Sequence, residues 1–217
     1  MYFEIKTMKR ISFLFTILII IFASCSQNDP LAPAQNSPAV ISITSPPQLS
    51  ATINNSAYSM VGGTTSYSSG STSNRNVGGG SNTYNSATYQ SNVVSATANQ
   101  PFLGIWKGTI QFPLSSNTPD SASFDAFFGL QSYPYSVNYT NGIEVDWIDP
   151  NGNLYTTSQG TGVQTGSIFT IVAKQASFTN GYYEVKIVAT FNCTLYNSTG
   201  GNIPLTNGIF VGYYQND

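Results

Sequence analysis

Tyr183-Glu184-Val185-Lys186-Ile187-Val188-Ala189-Thr190-Phe191-Asn192-Cys193-Thr194-Leu195 alternates apolar and polar side chains along almost its whole length. Tyr183, Val185, Ile187, Ala189, Phe191, Cys193 and Leu195 fall on one face of an extended chain, while Glu184, Lys186, Thr190, Asn192 and Thr194 fall on the other. Strand side chains point alternately to opposite faces, so a period of two specifies a half-buried antiparallel strand. The residues around this stretch repeat its rhythm. Trp106, Ile110 and Phe112 alternate with Lys107, Thr109 and Gln111. Phe124, Ala126, Phe128 and Leu130 alternate with Ser123 and Asp125, and Ile143, Val145 and Trp147 with Glu144 and Asp146. Residues 168–174 and 209–214 are apolar on both faces, which predicts strands covered on both sides.

Turn signals separate these runs. Asp149-Pro150-Asn151-Gly152-Asn153 reads as a hairpin loop and Asn180-Gly181 as a two-residue type I′ turn. Asn141-Gly142, Gly200-Gly201-Asn202 and Asn207-Gly208 punctuate the rest. Seven or eight strands with no amphipathic helix predict an all-β domain over residues 101–217. It is read as a small antiparallel up-and-down β-barrel, with a β-sandwich as the alternative.

Composition narrows the function. Charged residues are 7% of the 217, the net charge is −2, and there is no histidine. A basic nucleic-acid footprint is missing, and Ser-His-Asp or Cys-His catalysis and His-ligated metals are excluded. Two cysteines cannot build a four-thiolate site. No cofactor and no enzymatic activity are expected.

Met8-Lys9-Arg10 precedes an apolar run from Ile11 to Phe22, followed by Ala23-Ser24-Cys25. A short basic region, an apolar stretch and small residues describe a secretory signal over residues 1–24, too short for the roughly 20-residue helix that spans a bilayer. Phe22-Ala23-Ser24-Cys25 resembles the lipobox of bacterial lipoproteins. The resemblance implies cleavage before Cys25, lipidation of its thiol and attachment to a membrane. Two or more acyl chains hold firmly where one holds marginally. By the same resemblance, Ser26 after the cysteine implies the outer membrane of a Gram-negative cell, with its periplasmic or outer side left open.

Residues 26–100 are rich in Ser, Asn, Thr, Gly and Pro, with only Asp29 and Arg75 charged, and read as a disordered tether from Cys25. Within it Val40-Ile41-Ser42-Ile43-Thr44 alternates and is a candidate strand. After the tether, Gly104-Ile105-Trp106 resembles the Gly-x-Trp opening of lipocalin-like and avidin-like barrels, in which the tryptophan closes one end. The length of the domain points to an avidin-sized barrel.

The resemblance implies binding of an apolar or amphipathic small molecule inside the barrel. Trp106 would close one end, and Phe124, Phe128, Val145, Trp147, Val185, Ile187 and Phe191 would line the interior. The alternative is a surface adhesion or assembly module that binds glycan or protein through outward aromatics. Tyr133, Tyr135, Tyr139, Tyr155, Tyr182, Tyr196 and Tyr214 are the candidates. Three other features are weaker. Cys193 lies between Phe191 and Leu195 on an apolar face and reads as a buried small hydrophobe. Asp149, Asn151 and Asn153 open like a calcium loop, but Leu154 stands where glycine is required. Glu144 and Asp146 share one strand face, about 7 Å apart, and read as solvated acids rather than a hydrolytic pair.

Overall fold

The computed structural model describes residues 41–78, 83–97, 101–136 and 142–217. The expected signal, Cys25 and residues 26–40 lie outside the described residues, as do Val40, Tyr139 and Asn141. Eleven strands run in chain order as β1 Gln48–Ile53, β2 Ser56–Val61, β3 Tyr67–Asn76, β4 Asn85–Ser95, β5 Phe102–Phe112, β6 Ser132–Tyr133, β7 Gly142–Ile148, β8 Leu154–Thr156, β9 Ile168–Thr179, β10 Tyr182–Tyr196 and β11 Asn202–Asn216. Among the described residues one helix, α1 Ser121–Phe127, sits between β5 and β6.

All the strand pairs are antiparallel, and the sheet follows the path β2-β1-β11-β10-β8-β7-β5-β4-β3. β10 divides its second edge. Residues 182–192 pair with β9, and only Tyr196 pairs with β8, at Thr156. The two ends of the path, β2 and β3, are joined by residues 62–66 alone. A sheet whose outermost strands are that close along the chain must curl on itself. The result is a strongly curled half-barrel.

The curl is completed by side chains. β1 covers β11 only as far as Val211, so the end of β11 has one strand neighbour. There the amide of Tyr213 donates to Ser91 Oγ and that of Gln215 to Ser71 Oγ, each at 3.0 Å. The Tyr213 hydroxyl donates to the Ser69 carbonyl. Serine hydroxyls on β3 and β4 thus satisfy backbone groups that would otherwise need another strand.

This corrects the expected tether where it has strands: four strands lie between residues 48 and 95, with Leu49, Ala51, Ile53, Met60, Ala87, Tyr89 and Val93 in the core. Ladder bonds join backbones whatever the side chains, and small hydroxyls are wanted where the curl closes, so a polar composition did not prevent folding. The candidate strand at residues 41–44 is a turn, with Ser45 N donating to the Ser42 carbonyl.

The expected strand at Phe124–Leu130 is also corrected. Asp120 caps a helix there, its side chain accepting from the Ser123 amide at 2.9 Å. Phe124 and Phe128, four apart, then share one buried face. The turn expected at Asn207-Gly208 is a bulge inside β11, and Ile168 and Val172 on β9 are exposed on a strand expected to be covered. The Asp149 loop and the Asn180-Gly181 turn are hairpin connections as read; both of the latter residues have positive φ. Asn54 and Asn55, φ 47° and 62°, make a third such turn, between β1 and β2.

Candidate functional site

Seven residues expected to line a ligand cavity do face inward. Phe124, Phe128, Val145, Trp147, Val185, Ile187 and Phe191 are all buried in one core. Rings fill that core by edge contacts: Tyr89 to Phe124 at 4.8 Å, Phe124 to Phe128 at 5.2 Å and Tyr58 to Trp147 at 4.8 Å between centroids. Phe128 lies against Tyr214 at 4.5 Å, and the Tyr214 hydroxyl donates to the Ile105 carbonyl. A small barrel is filled by its own side chains in this way.

Trp106 does not join them. The β4–β5 ladder steps from Tyr89 opposite Lys107 to Ala87 opposite Ile110, so one irregularity inverts the alternation inside β5. Leu103, Ile105 and Lys107 face the core together with Ile110 and Phe112, and Trp106 faces outward. Its indole N–H donates to Asp146 Oδ2 at 2.8 Å, so it orients an acid on the outer face instead of closing one end. Burial holds the Asp146 carboxyl above its usual range, against the opposing effect of that bond. Glu144 is buried rather than solvated and accepts from Ser158 Oγ at 2.7 Å. The two carboxyls therefore carry separate partners.

Lys107, expected on the outer face, is only 4% exposed. Its ammonium lies 3.9 Å from the centroid of Phe127 and 4.5 Å from that of Tyr133. Burial pushes its pKa down to about 8. Sequence alone carries no mark of this, because the slip in β5 depends on pairing with β4. Cys193 is buried, as read, and burial pushes its thiol well above the usual range. Of the candidate outward tyrosines, Tyr182 is exposed, Tyr133, Tyr135 and Tyr155 are partly buried, and Tyr196 and Tyr214 are in the core.

Space on the outer face comes from the β11 bulge. Pairing skips from Phe191 opposite Gly208 to Cys193 opposite Leu205, while β1 skips from Ser50 opposite Ile209 to Thr52 opposite Thr206. Asn207 takes φ 52° to make the bend. Gly208 is required there, since a Cβ would lie 2.8 Å from the Phe191 carbonyl oxygen. The ladder opens into a shallow depression of about 380 Å³ lined by Ile168, Thr190, Phe191, Asn192, Asn207, Gly208 and Ile209. The lining thus combines two isoleucines with the threonine Thr190 and the asparagines Asn192 and Asn207. Asn192 is held in place: its Oδ1 accepts from the Ile168 amide at 2.7 Å, and its Nδ2 donates to the Gly166 carbonyl.

No family model, curated protein or solved structure matches this chain. The geometry itself therefore carries the functional argument. Among the described residues no group of three or more acids and thiols is placed to hold a metal ion, and no helix is long and apolar enough to cross a membrane.

Proposed function

We propose that this chain is a non-enzymatic, lipid-anchored protein of the Gram-negative outer membrane. Its curled β module binds a neutral glycan on its outer surface. One observation favours a surface module over the carrier: the residues expected to line a cavity are packed against one another in the core, and a shallow depression lies at the bulge of β11, where of the seven only Phe191 also takes part in the lining. Carboxamide groups beside an apolar floor suit an acetamido sugar. Its methyl group covers the isoleucines, while its amide exchanges hydrogen bonds with the asparagines. Near-absence of charge in that lining favours a neutral ligand over an ionic one. The anchor reading rests on Phe22-Ala23-Ser24-Cys25 and the lipoprotein resemblance.

Two variants test the reading. Asn207→Gly keeps a residue that accepts positive φ and removes the carboxamide. It is expected to weaken binding of the detergent-solubilised full chain to N-acetylated glycans by roughly tenfold, about 1.4 kcal/mol, without a change in melting temperature. Unchanged binding would remove the depression from the proposal. Cys25→Ala is expected to abolish palmitate labelling and release the protein from the membrane fraction, and equal labelling of parent and variant would remove the anchor.

A further inference from the structure

One end of the curled sheet gathers the exposed rings. Among the described residues the exposed aromatics are Tyr84, Phe178 and Tyr182, with Phe178 at 73%, and the aliphatic Val77 and Leu114 are exposed beside them. Hydrogen bonds and strand register place the five at the same end. Asn85 Oδ1 accepts from the Gly78 amide at 3.0 Å, and Asn85 Nδ2 donates to the Pro113 and Ser116 carbonyls. Val77, Tyr84 and Leu114 are the immediate chain neighbours of Gly78, Asn85 and Pro113. Arg75 donates to the Asn117 carbonyl and Asn216 Nδ2 to the Pro119 carbonyl, which carries this junction across to the end of β11. Asn216 pairs with Tyr183, beside the β9–β10 turn that holds Phe178 and Tyr182. Arg75 and Lys186 are set here against Asp120, Glu184 and Asp217, so charge gives this end no strong preference for an ionic surface.

The chain enters the fold at this end as well. Lys186 Nζ donates to the Ser45 carbonyl at 2.6 Å, and Lys186 follows Tyr183 by one turn of the pleat on β10. Residues 26–40, which connect Cys25 to that entry, span at most roughly 50 Å. Aromatic side chains gather where membranes meet water, and tyrosine suits that boundary because its apolar ring ends in a polar tip. We infer that this end rests on a zwitterionic phospholipid surface, with Phe178 and Tyr182 of the β9–β10 turn seated among the headgroups. The choice of a bilayer as the partner rests on the lipid-anchor reading proposed above. Acyl chains supply affinity for the membrane but no fixed tilt, which exposed side chains gathered at one end provide. The outer depression then points away from the lipid, since Thr190 and Asn192 lie about 30 Å farther along β10 than Tyr182.

A chain without acyl groups separates this contact from the anchor. The mature chain, residues 25–217 with Cys25→Ala, retains one native thiol, Cys193, which is buried. Ser177→Cys and Ser198→Cys, both at exposed positions, then carry an environment-sensitive fluorophore at the proposed membrane end and at the far β10–β11 turn. With vesicles of phosphatidylcholine and phosphatidylethanolamine, the label at residue 177 is expected to shift to the blue and to be quenched by nitroxide lipids. The label at residue 198 is expected to do neither. Phe178→Ser combined with Tyr182→Ser should need at least tenfold more lipid for the half-maximal shift, and Leu114→Ser at least twofold more. An unchanged melting temperature for either variant confirms its fold. No shift at residue 177, equal shifts at both labels, or an unchanged lipid requirement in the folded variants overturns the inference. A shift that grows with protein concentration in the absence of lipid assigns this end to a second copy and overturns it too. Palmitate labelling of Cys25 succeeds or fails independently, so loss of the anchor reading and loss of the contact are told apart.

Discussion

At the scale of single residues, Lys107 carries the clearest energetic consequence. Its ammonium has exchanged water for two ring faces and donates to the Gly108 carbonyl at 3.5 Å. Cation–π attraction is worth about 2 kcal/mol when desolvated and offsets burial only in part, so the folded state releases the proton more readily than the unfolded chain. The folded pKa is about 8 against 10.5 for the free side chain. Between those values the unfolded state binds more protons, so stability contributed at this site rises as pH rises from 8 to 10.5. Lys107→Met is expected to stabilise the protein at pH 7 by on the order of 2–3 kcal/mol. The advantage should shrink towards pH 10.5. Tyr89, Tyr135, Tyr214 and Cys193, all held above their usual ranges by burial, lower stability at high pH. They act on parent and variant alike, so the measured difference between two chemical-denaturation series isolates Lys107. A constant difference from pH 7 to 10.5 would refute the assignment.

At the scale of elements, the closing of the curl depends on hydroxyls rather than on a ladder. Ser91 is 1% exposed, and its Oγ takes the Tyr213 amide beyond the reach of β1. Gly212 permits this approach, because a Cβ there would strike both Ser91 Oγ and the Phe210 ring. Ser91→Ala leaves the part-buried amide without its acceptor, at an expected cost of about 1 kcal/mol. Ser91→Thr retains the hydroxyl and should recover part of it. Equal denaturation midpoints for parent and Ser91→Ala would show that the edge needs no hydroxyl. α1 belongs to the same scale. Its sequence satisfies a period of two and a spacing of four equally well, because Phe124 and Phe128 are buried under either. The Asp120 cap decides for the helix, and the core receives the rings in both cases.

At the scale of the whole molecule, β1 to β4 are structural members of the sheet. They contribute the strands that flank β11 and β5 and bury Leu49, Met60 and Tyr89 against the rest. A fragment of residues 101–217 is therefore expected to lack a cooperative unfolding transition and to aggregate, whereas residues 41–217 should unfold in one step. Circular dichroism with thermal melts compares the two directly, and a fragment 101–217 that melts like the longer chain would contradict the shared core. The strand character of β5, β7, β10 and β11, the hairpin at Asp149, the turn at Asn180 and the inward side of seven core residues were all legible in one dimension. Alternation and turn chemistry are local, and burial on one face enforces them. Three things required the folded molecule. A polar segment became four strands because it pairs with β11 and β5, and hydroxyls on two of its strands meet the open end of β11. One slip against β4 exchanged Trp106 for Lys107 in the core. A bulge against β10 opened the outer depression. Each depends on how one strand is paired with another, and register is set by pairing energy that a single strand's pattern does not contain.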